Sequence, residues 1–337
     1  MDIFDEIDDL AIEEEALSNE YMNRLERKER TVRSRPDHFN MWNSKDFHRR
    51  FRLMKESVQD LLSLIEDKIK HKTQRNQCIP PMLQLLITLR FYATGSFYIT
   101  VGDFGGIHSS TICCIIKKVT EAIASLRPMF ITLPRSDEDI RKSQEEFYKI
   151  ARFPRVISAI DGTHIRVQSP GGNTAEEFRN RKDFFSFNVQ AICSAELIFQ
   201  DIVARWPGST HDSMIFSNSS VKFHCDNQAF GNGIILGDSG YEQTNYLLIP
   251  FQNPNTPAQM LSIGLRCRLP LAQDIIVACA ILHNLARKKN EDEPPEDPEV
   301  DVPPQPIFPP SIANPTSAER LQTRNIMLSY FQSLINT

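Results

Sequence analysis

Three aspartates occupy positions from which their carboxylates could act together on a phosphate ester. Asp161 follows the apolar run 156–160, and Asp238 follows the apolar run 234–236 and a glycine. Asp212 lies in the motif Trp-Pro-Gly-Ser-Thr-His-Asp-Ser. An aspartate at the carboxyl end of a buried strand projects into the crevice where open α/β sheets bind ligands. Converging carboxylates repel one another unless a cation lies between them.

The ligand type suggests which cation would lie there. Carboxylate oxygens in such an arrangement suit Mg²⁺ or Mn²⁺. Two such ions about 3.5–4 Å apart promote phosphodiester cleavage by activating water and stabilising the leaving oxygen. The alternative is that aspartates beside glycines only stabilise turns through hydrogen bonds to their own backbone. For any one of these positions the turn role is the better interpretation. For Asp161 and Asp238 together it is the weaker one, since both are expected at strand ends of one sheet.

The elements that would position these aspartates form an α/β region after residue 155. Short apolar or alternating runs bounded by turn residues predict strands. A turn is expected around Ser194-Ala195-Glu196, and the apolar segment Ile275–Arg287 predicts a buried helix. The predicted strands cover residues 156–160, 187–193, 197–204, 234–236 and 246–251.

Helical periodicity dominates the chain before residue 125. Apolar residues recur at helical spacing in 47–69, and 82–93 predicts a helix that Gly95 ends. A short helix at 100–104, two glycines, and a helix at 109–124 capped by Ser109-Ser110-Thr111 resemble a helix-turn-helix. Lys117 and Lys118 on its second helix could contact phosphates. Many all-α domains contain such a corner without binding DNA, so both interpretations stay open.

Net charge is −5, which taken alone argues against a nucleic-acid partner. The charge is uneven, because residues 2–20 carry many carboxylates and no Lys or Arg, and 291–301 is acidic and proline-rich. Between them the chain is basic, and local charge matters more to a polyanion than the sum does. No segment resembles a membrane span or a secretory signal, and the seven scattered cysteines indicate a reducing compartment.

Four motifs in register carry a family resemblance. Asp-Gly-Thr-His-Ile, Pro-Gly-Ser-Thr-His-Asp-Ser, Gly-Asp-Ser-Gly-Tyr and Ile-Leu-His-Asn-Leu resemble, in this order, the blocks of the PIF/Harbinger DDE transposase superfamily and its transposase-derived nucleases. The upstream Tyr-Ala-Thr-Gly-Ser-Phe and Val-Gly-Asp-Phe-Gly-Gly-Ile-His-Ser-Ser-Thr resemble the family's helix-turn-helix region. The resemblance covers about residues 47–285.

The resemblance implies an α/β, RNase H-like nuclease core preceded by an all-α, helix-turn-helix-like domain. It also implies a divalent-metal cofactor, DNA as substrate, and a Myb/SANT-like partner protein that contributes DNA binding and nuclear entry, so we expect the chain in nucleus and cytoplasm. The expected division is 1–45 acidic leader and charged linker, 46–150 helical domain, 151–289 nuclease domain, and 290–337 proline-rich acidic linker with a C-terminal helix.

The resemblance also assigns residue roles. Asp161 and Asp238 correspond to the first two catalytic carboxylates, and the metal ligands are Asp161, Asp212 and Asp238. His164 and His211 could orient substrate or metal ligands, or only satisfy backbone groups near a turn. A further basic group has two interpretations. It could line a path for the DNA phosphates, or it could be a solvated helix face: Arg179, Arg181 and Lys182.

The chain departs from the family where the last catalytic residue is expected. The family carries that glutamate on a helix after the fifth strand, in a block resembling Arg-x-x-x-Glu-x-x-Phe-Gly-x-Leu-Lys-x-Arg-Phe. The segment from Pro250 to Ile281 has no such block and contains no Glu. At about 1.5 Å per helical residue it is too short for the missing helix and its connections. The nearest substitutes are Glu242 and Asp274, and neither matches the family's position.

Two functions therefore follow from the sequence. One is a metal-dependent nuclease acting on DNA phosphodiesters, weakened or inactive in this form, as a splice variant or a gene-model deletion would produce. The other is a non-catalytic nuclear protein that binds DNA or a partner. An unrelated α/β hydrolase is disfavoured because the Gly-x-Ser-x-Gly elbow is missing.

Overall fold

The computed structural model of the chain describes residues 35–71, 78–238, 240–249 and 269–295. The acidic leader, most of the proline-rich linker and the predicted C-terminal helix lie outside these residues. So does the segment 250–268, in which the family's glutamate block would be expected.

Helices come first along the described part of the chain. A break divides the helical zone 47–69 at Arg52, which has the left-handed φ of 59°. The predicted helix at 82–93 is confirmed with its cap Gly95, at φ 60°. The helices before the sheet are α1 (Ser44–Phe51), α2 (Lys55–Ile69), α3 (Pro81–Thr94), α4 (Tyr98–Gly105), α5 (Ser109–Ala124), α6 (Arg127–Phe130) and α7 (Asp137–Ala151).

The corner between α4 and α5 differs from the predicted one in its cap. The two helices meet at 95°. The N-terminal cap of α5 is His108 and not the predicted serines, because its Nδ1 accepts from the Ser110 backbone amide over 3.3 Å. Helix α5 lies at the centre of the helical part and packs against α2, α3 and α4.

A mixed five-stranded sheet follows, in the order β3-β2-β1-β4-β5. Strands β1, β2 and β3 pair antiparallel, whereas β4 pairs parallel to β1 and β5 parallel to β4. The strands are β1 (Val156–Arg166), β2 (Ser186–Cys193), β3 (Phe199–Pro207), β4 (Ile234–Leu236) and β5 (Leu247–Leu248). A 3₁₀ turn (Ala175–Phe178) precedes β2, and α8 (Asp212–Ser217) and α9 (Ser220–Asp226) connect β3 to β4.

The prediction that the first strand ends at Ile160 was wrong. The strand continues to Arg166 because β2 pairs with it antiparallel as far as Arg166 opposite Ser186. The parallel pairing with β4 ends earlier, at Ala159 opposite Leu236. Asp161 therefore lies just beyond the parallel part of the sheet, although it remains inside a strand.

Three other boundaries move. The predicted third strand begins at Phe199, because the turn predicted at Ser194-Ala195-Glu196 closes through Leu197, at φ 61°. The fifth strand is short within the described residues, and the end predicted at Phe251 lies outside them. The last helix, α10 (Leu269–Lys288), begins six residues before the predicted start at Ile275.

Helices cover both faces of the sheet. The larger core joins α1–α5 and α10 to one face, through Phe187, Val189 and Ile202. A second core on the other face joins Ile160 and Ile192 to α8, α9 and the segment after β4. The larger core contains residues from both sides of the boundary expected at 150/151, and that division stays a prediction.

Asn284 in the motif Ile-Leu-His-Asn-Leu fastens α10 to the sheet. Its Oδ1 accepts from the Phe199 backbone amide over 2.8 Å, and its Nδ2 donates to the Phe199 carbonyl over 2.7 Å. Asn284 Nδ2 also donates to the Phe130 carbonyl over 3.0 Å. This fully buried side chain thus bonds the edge strand β3 as a neighbouring strand would.

No single helix among the described residues has the length and apolarity to cross a membrane. The bent pair α4 and α5 meets those criteria only when its two helices are taken together, by length and composition.

Candidate active site

Asp161 and Asp238 lie at equivalent positions on neighbouring parallel strands. Ala159 of β1 stands opposite Leu236 of β4, and each aspartate follows its strand partner by two residues. Both aspartates are exposed at this edge of the sheet. The register therefore brings together the two carboxylates that the sequence predicted to be catalytic.

Asp212 reaches the same edge from the start of α8. A side chain at Gly162, next to Asp161, would overlap the Asp212 carboxylate. A Cβ at Gly240 would lie 2.9 Å from Asp212 Oδ2 and 3.1 Å from Asp238 Oδ1. The two glycines thus leave the space in which the three predicted metal ligands converge.

Each carboxylate accepts a hydrogen bond from a described residue. The backbone amide of Gly162 donates to Asp161 Oδ1 over 2.9 Å, and that of Gly240 donates to Asp238 Oδ1 over 2.9 Å. Asn188 Nδ2 donates to Asp212 Oδ1 over 2.7 Å. The remaining oxygen lone pairs are available to a further ligand.

Burial and mutual repulsion make it unfavourable for all three carboxylates to be ionised at once. Desolvation by the surrounding protein, followed by the negative charge of Asp238, raises the pKa of Asp161 to about 6, although the Gly162 amide opposes the shift and the residue as a whole is exposed. Burial also raises the pKa of Asp238, with a contribution from Asp212. A cation between the carboxylates would relieve this repulsion.

Within the described ranges, no group of three or more His, Cys, Asp or Glu side chains is already arranged to hold a metal ion. The donor chemistry nevertheless fits Mg²⁺ or Mn²⁺, since all three side chains offer hard oxygens around a space lined by glycine.

The two histidines have different surroundings. His164 Nδ1 lies 3.1 Å from Ser186 Oγ, which also accepts from Asn180 Nδ2 over 3.0 Å. Burial, with help from Lys182 and Arg181, lowers the pKa of His164 to about 4, so the ring is neutral at pH 7. His211 is exposed and contacts Arg181 Nη2 through Nε2 at 2.7 Å.

The predicted DNA-contacting residues do not share one surface environment. Arg181 lies beside His211, the residue that precedes Asp212, whereas Arg179 pairs with Glu176 over 2.7 Å and stacks over Phe185. Burial lowers the pKa of Lys182. A path for DNA phosphates along these residues stays a prediction. Arg181 supports it best, because it contacts His211, the residue next to Asp212.

The two lysines of α5 lie in the helical part. Lys118 Nζ donates to the Ile69 carbonyl over 2.7 Å and so caps the carboxyl end of α2. Lys117 is exposed and acts electrostatically on Asp274 of α10. No sequence pattern indicated the cap, and DNA contact by either lysine stays a prediction.

Sequence reasoning missed Asn188, which supports Asp212. The signal was a polar alternation in strand β2, since Ser186, Asn188 and Gln190 interrupt an otherwise apolar strand at every second residue. All three side chains are buried. Alternation places them on one face of the sheet, and α8 packs against β2.

The segment that carries the three aspartates is similar in sequence to known proteins. The family described as DDE superfamily endonuclease matches residues 160–268, so the chain carries such a domain. "Putative nuclease HARBI1" of Rattus norvegicus is 28% identical over 267 residues, covering 71% of this chain and 76% of that protein. The protein of the same name from Bos taurus is 26% identical over 308 residues, covering 82% and 88%.

A plant protein is also similar. "Protein ALP1-like" of Arabidopsis thaliana is 26% identical over 187 residues, covering 51% of this chain and 45% of that protein. No solved structure matches. The resemblance to harbinger-type transposase-derived nucleases, predicted from the motifs, is confirmed by these relatives.

The alignment with the bovine protein also shows a difference in length. It spans 308 positions, whereas 82% of this 337-residue chain is about 276 residues. About 30 aligned positions therefore have no residue in this chain.

Proposed function

We propose that this chain is a transposase-derived, divalent-metal-dependent nuclease that acts on DNA phosphodiesters, with its activity reduced in this form. The observation that carries the proposal is the convergence of Asp161, Asp212 and Asp238 at one edge of the sheet. All three lie inside the segment that matches a DDE superfamily endonuclease.

The sheet topology supports an RNase H-like core. Three antiparallel strands, β1 to β3, are followed by β4 and β5, which add parallel to the open side of β1. This order puts the first carboxylate on the central strand and another directly after its parallel neighbour. Open α/β sheets bind ligands at this kind of edge.

Asp161, Asp212 and Asp238 would hold Mg²⁺ or Mn²⁺. When bound, such a cation activates water and stabilises the leaving oxygen in phosphodiester cleavage. The chain's own contribution is to place the three carboxylates, through the sheet register and through the Asn188 hydrogen bond to Asp212. Arg181 beside His211 supplies positive charge next to the site, where a DNA phosphate would approach.

The missing glutamate is the reason to expect reduced activity. The segment from Pro250 to Ile281 contains no Glu, and about 30 aligned positions without a residue in this chain are enough to include the family's block. Asp274 does not replace it, since the charged groups that act on its carboxyl are Glu121 and Lys117 of α5. A site with two catalytic aspartates and no third catalytic carboxylate would bind a cation more weakly and cleave more slowly.

The second candidate is a non-catalytic nuclear protein that binds DNA or a partner, and the same missing glutamate favours it. The 95° angle between α4 and α5 is compatible with a helix-turn-helix, in which the second helix enters the major groove. Lys117 and Lys118 on α5 are the predicted phosphate contacts. A Myb/SANT-like partner and a location in nucleus and cytoplasm rest on the family resemblance alone.

Calorimetric titration of the full chain with Mn²⁺, alongside a plasmid-cleavage assay, tests the proposal. We expect saturable binding that the double substitution Asp161→Asn/Asp238→Asn abolishes, together with slow cleavage. The control is Asp274→Asn, which removes a carboxylate from α10 and should leave binding unchanged. Saturable binding without cleavage would favour the second candidate, and no binding by a folded chain would contradict the metal site.

A further inference from the structure

Two buried polar side chains near the carboxylates have no hydrogen-bond partner. Gln190 is 1% exposed and Tyr241 is 4% exposed. Neither amide atom of Gln190 nor the hydroxyl of Tyr241 makes a hydrogen bond in the part of the chain that the structure describes. Nearly all buried polar groups are paired, because an unpaired one loses its bonds to water without compensation. Two such groups at one site leave room for a partner that the described residues do not provide.

Gln190 lies beside Asp212. The register of β1 and β2 puts Gln190 directly opposite Gly162, and the Asp212 carboxylate fills the space where a Gly162 side chain would be. Asn188, two residues earlier on the same strand, already donates to Asp212. Side chains two apart on a strand share a face, so Gln190 is on the face from which Asn188 holds this carboxylate.

Tyr241 approaches the carboxylates from the segment after β4. It directly follows Gly240, the position from which a Cβ would contact both Asp212 and Asp238. Its ring packs edge-on against Phe216, with centroids 6.0 Å apart, so the core fixes the direction of the phenol. Burial, followed by the charges of Asp212, Asp161 and Asp238, raises the pKa of Tyr241. The neutral hydroxyl can donate a hydrogen bond to a carboxylate.

We propose that Gln190 and Tyr241 are positioning residues for the metal site. In the cation-bound site, the Gln190 amide and the Tyr241 hydroxyl donate hydrogen bonds to the ligating carboxylates and hold Asp212 in its ligating orientation. Hydrogen bonds of this kind, made to a ligand and not to the metal, commonly change metal affinity by about 10–100-fold. The inference rests on the proposed function, because it requires that the three aspartates bind a divalent cation.

Two substitutions separate this role from ordinary packing. Tyr241→Phe and Gln190→Met each remove the unpaired polar group and keep most of the buried volume. We expect each to weaken Mn²⁺ affinity about tenfold or more, measured by calorimetry on the full chain. The urea midpoint of the metal-free chain should stay the same or rise, because the substitution removes an uncompensated buried polar group.

Matched controls come from a buried glutamine and a half-buried tyrosine that already have hydrogen-bond partners. The Tyr246 hydroxyl already donates to Asp226 Oδ1 over 2.7 Å, and Gln200 Oε1 accepts from Ser158 Oγ over 2.6 Å. Tyr246→Phe and Gln200→Met should therefore lower the urea midpoint of the metal-free chain and leave Mn²⁺ affinity unchanged. The opposite pattern is expected at Gln190 and Tyr241.

The outcomes distinguish this inference from the proposed function. Wild-type affinity in both variants would overturn the positioning role and leave the metal site intact. A lowered urea midpoint in the metal-free variants would show that the two side chains serve only packing, and would also overturn the inference. A folded wild-type chain that binds no Mn²⁺ would overturn both.

Discussion

The side chain of Asn188 joins two segments of the candidate site through one nitrogen. Its Nδ2 donates to Asp212 Oδ1 over 2.7 Å and to the Thr210 carbonyl over 2.8 Å. The central strand pair thereby fixes both the first residue of α8 and the loop that leads to it. Asp212 is far from Asp161 in sequence and is held near it by this buried amide.

Replacing Asn188 by Leu should destabilise the chain and weaken the metal site. The substitution keeps the buried volume but leaves Asp212 and the Thr210 carbonyl without their donor, at a cost of about 1–3 kcal/mol. Urea unfolding measures the loss, and Mn²⁺ titration should show lower affinity. Asn227→Leu is the control, because the Asn227 side chain is exposed and its amide donates to the Phe223 carbonyl. Equal losses in both variants would contradict the assignment.

The pKa of Asp161 predicts how the stability of the metal-free chain depends on pH. The folded state holds the Asp161 proton up to about pH 6, whereas the ordinary value is 3.8. Between these values the folded chain binds more protons than the unfolded chain, so the free energy of unfolding falls as pH rises. The side chain is partly open to solvent, and the loss should be only on the order of 1 kcal/mol.

Urea unfolding at pH 4, 5, 6 and 7 with and without Asp161→Asn isolates this contribution. As pH rises from 4 to 7, the free energy of unfolding should fall less in the variant than in the wild type. Saturating Mn²⁺ should make the fall in the wild type smaller. An unchanged pH dependence in the variant would show that other groups cause the effect.

A side chain at position 162 should displace Asp212. The Cβ of Gly162→Ala would overlap the Asp212 carboxylate, so the Asp212 side chain must rotate away or its backbone must move. Overpacking of this kind costs about 1–3 kcal/mol. We expect that loss in unfolding experiments, together with Mn²⁺ affinity reduced at least tenfold. At Gly171, which has open space and φ of 72°, Gly171→Asn should have little effect on either, since asparagine tolerates this backbone conformation. Full Mn²⁺ affinity in Gly162→Ala would show that Asp212 is not a ligand.

Substitution of the two lysines of α5 should distinguish a role in stability from a role in DNA contact. Lys118 donates to the last carbonyls of α2, so Lys118→Met should lower the free energy of unfolding by about 0.3–1 kcal/mol. Lys117→Met should leave stability nearly unchanged, because its side chain is exposed. If both lysines also contact phosphates, each variant should reduce the salt dependence of DNA affinity by about one unit of slope. An unchanged slope in both would remove α5 from the DNA surface.

Much of the secondary structure followed from local patterns in the sequence. The spacing of apolar residues and the positions of turn residues predicted the helices at 82–93 and 109–124, the turn after β2 and the strand at 234–236. These signals act over a few residues, so they can be found in the sequence alone. The end of β1 could not be predicted in this way. Strand continuation through Asp161 depends on β2, which pairs with residues 161–166 from a separate part of the chain.

The sequence by itself determined which chemistry is available: three aspartates in recognisable motifs, and no Glu between Pro250 and Ile281. Only the tertiary structure decided which groups meet. The register of β1 and β4 aligns Asp161 with Asp238, Asn188 fixes Asp212, and Lys118 faces the end of α2 and not open solvent. These contacts join residues tens of positions apart, and they depend on packing that short-range residue preferences do not encode.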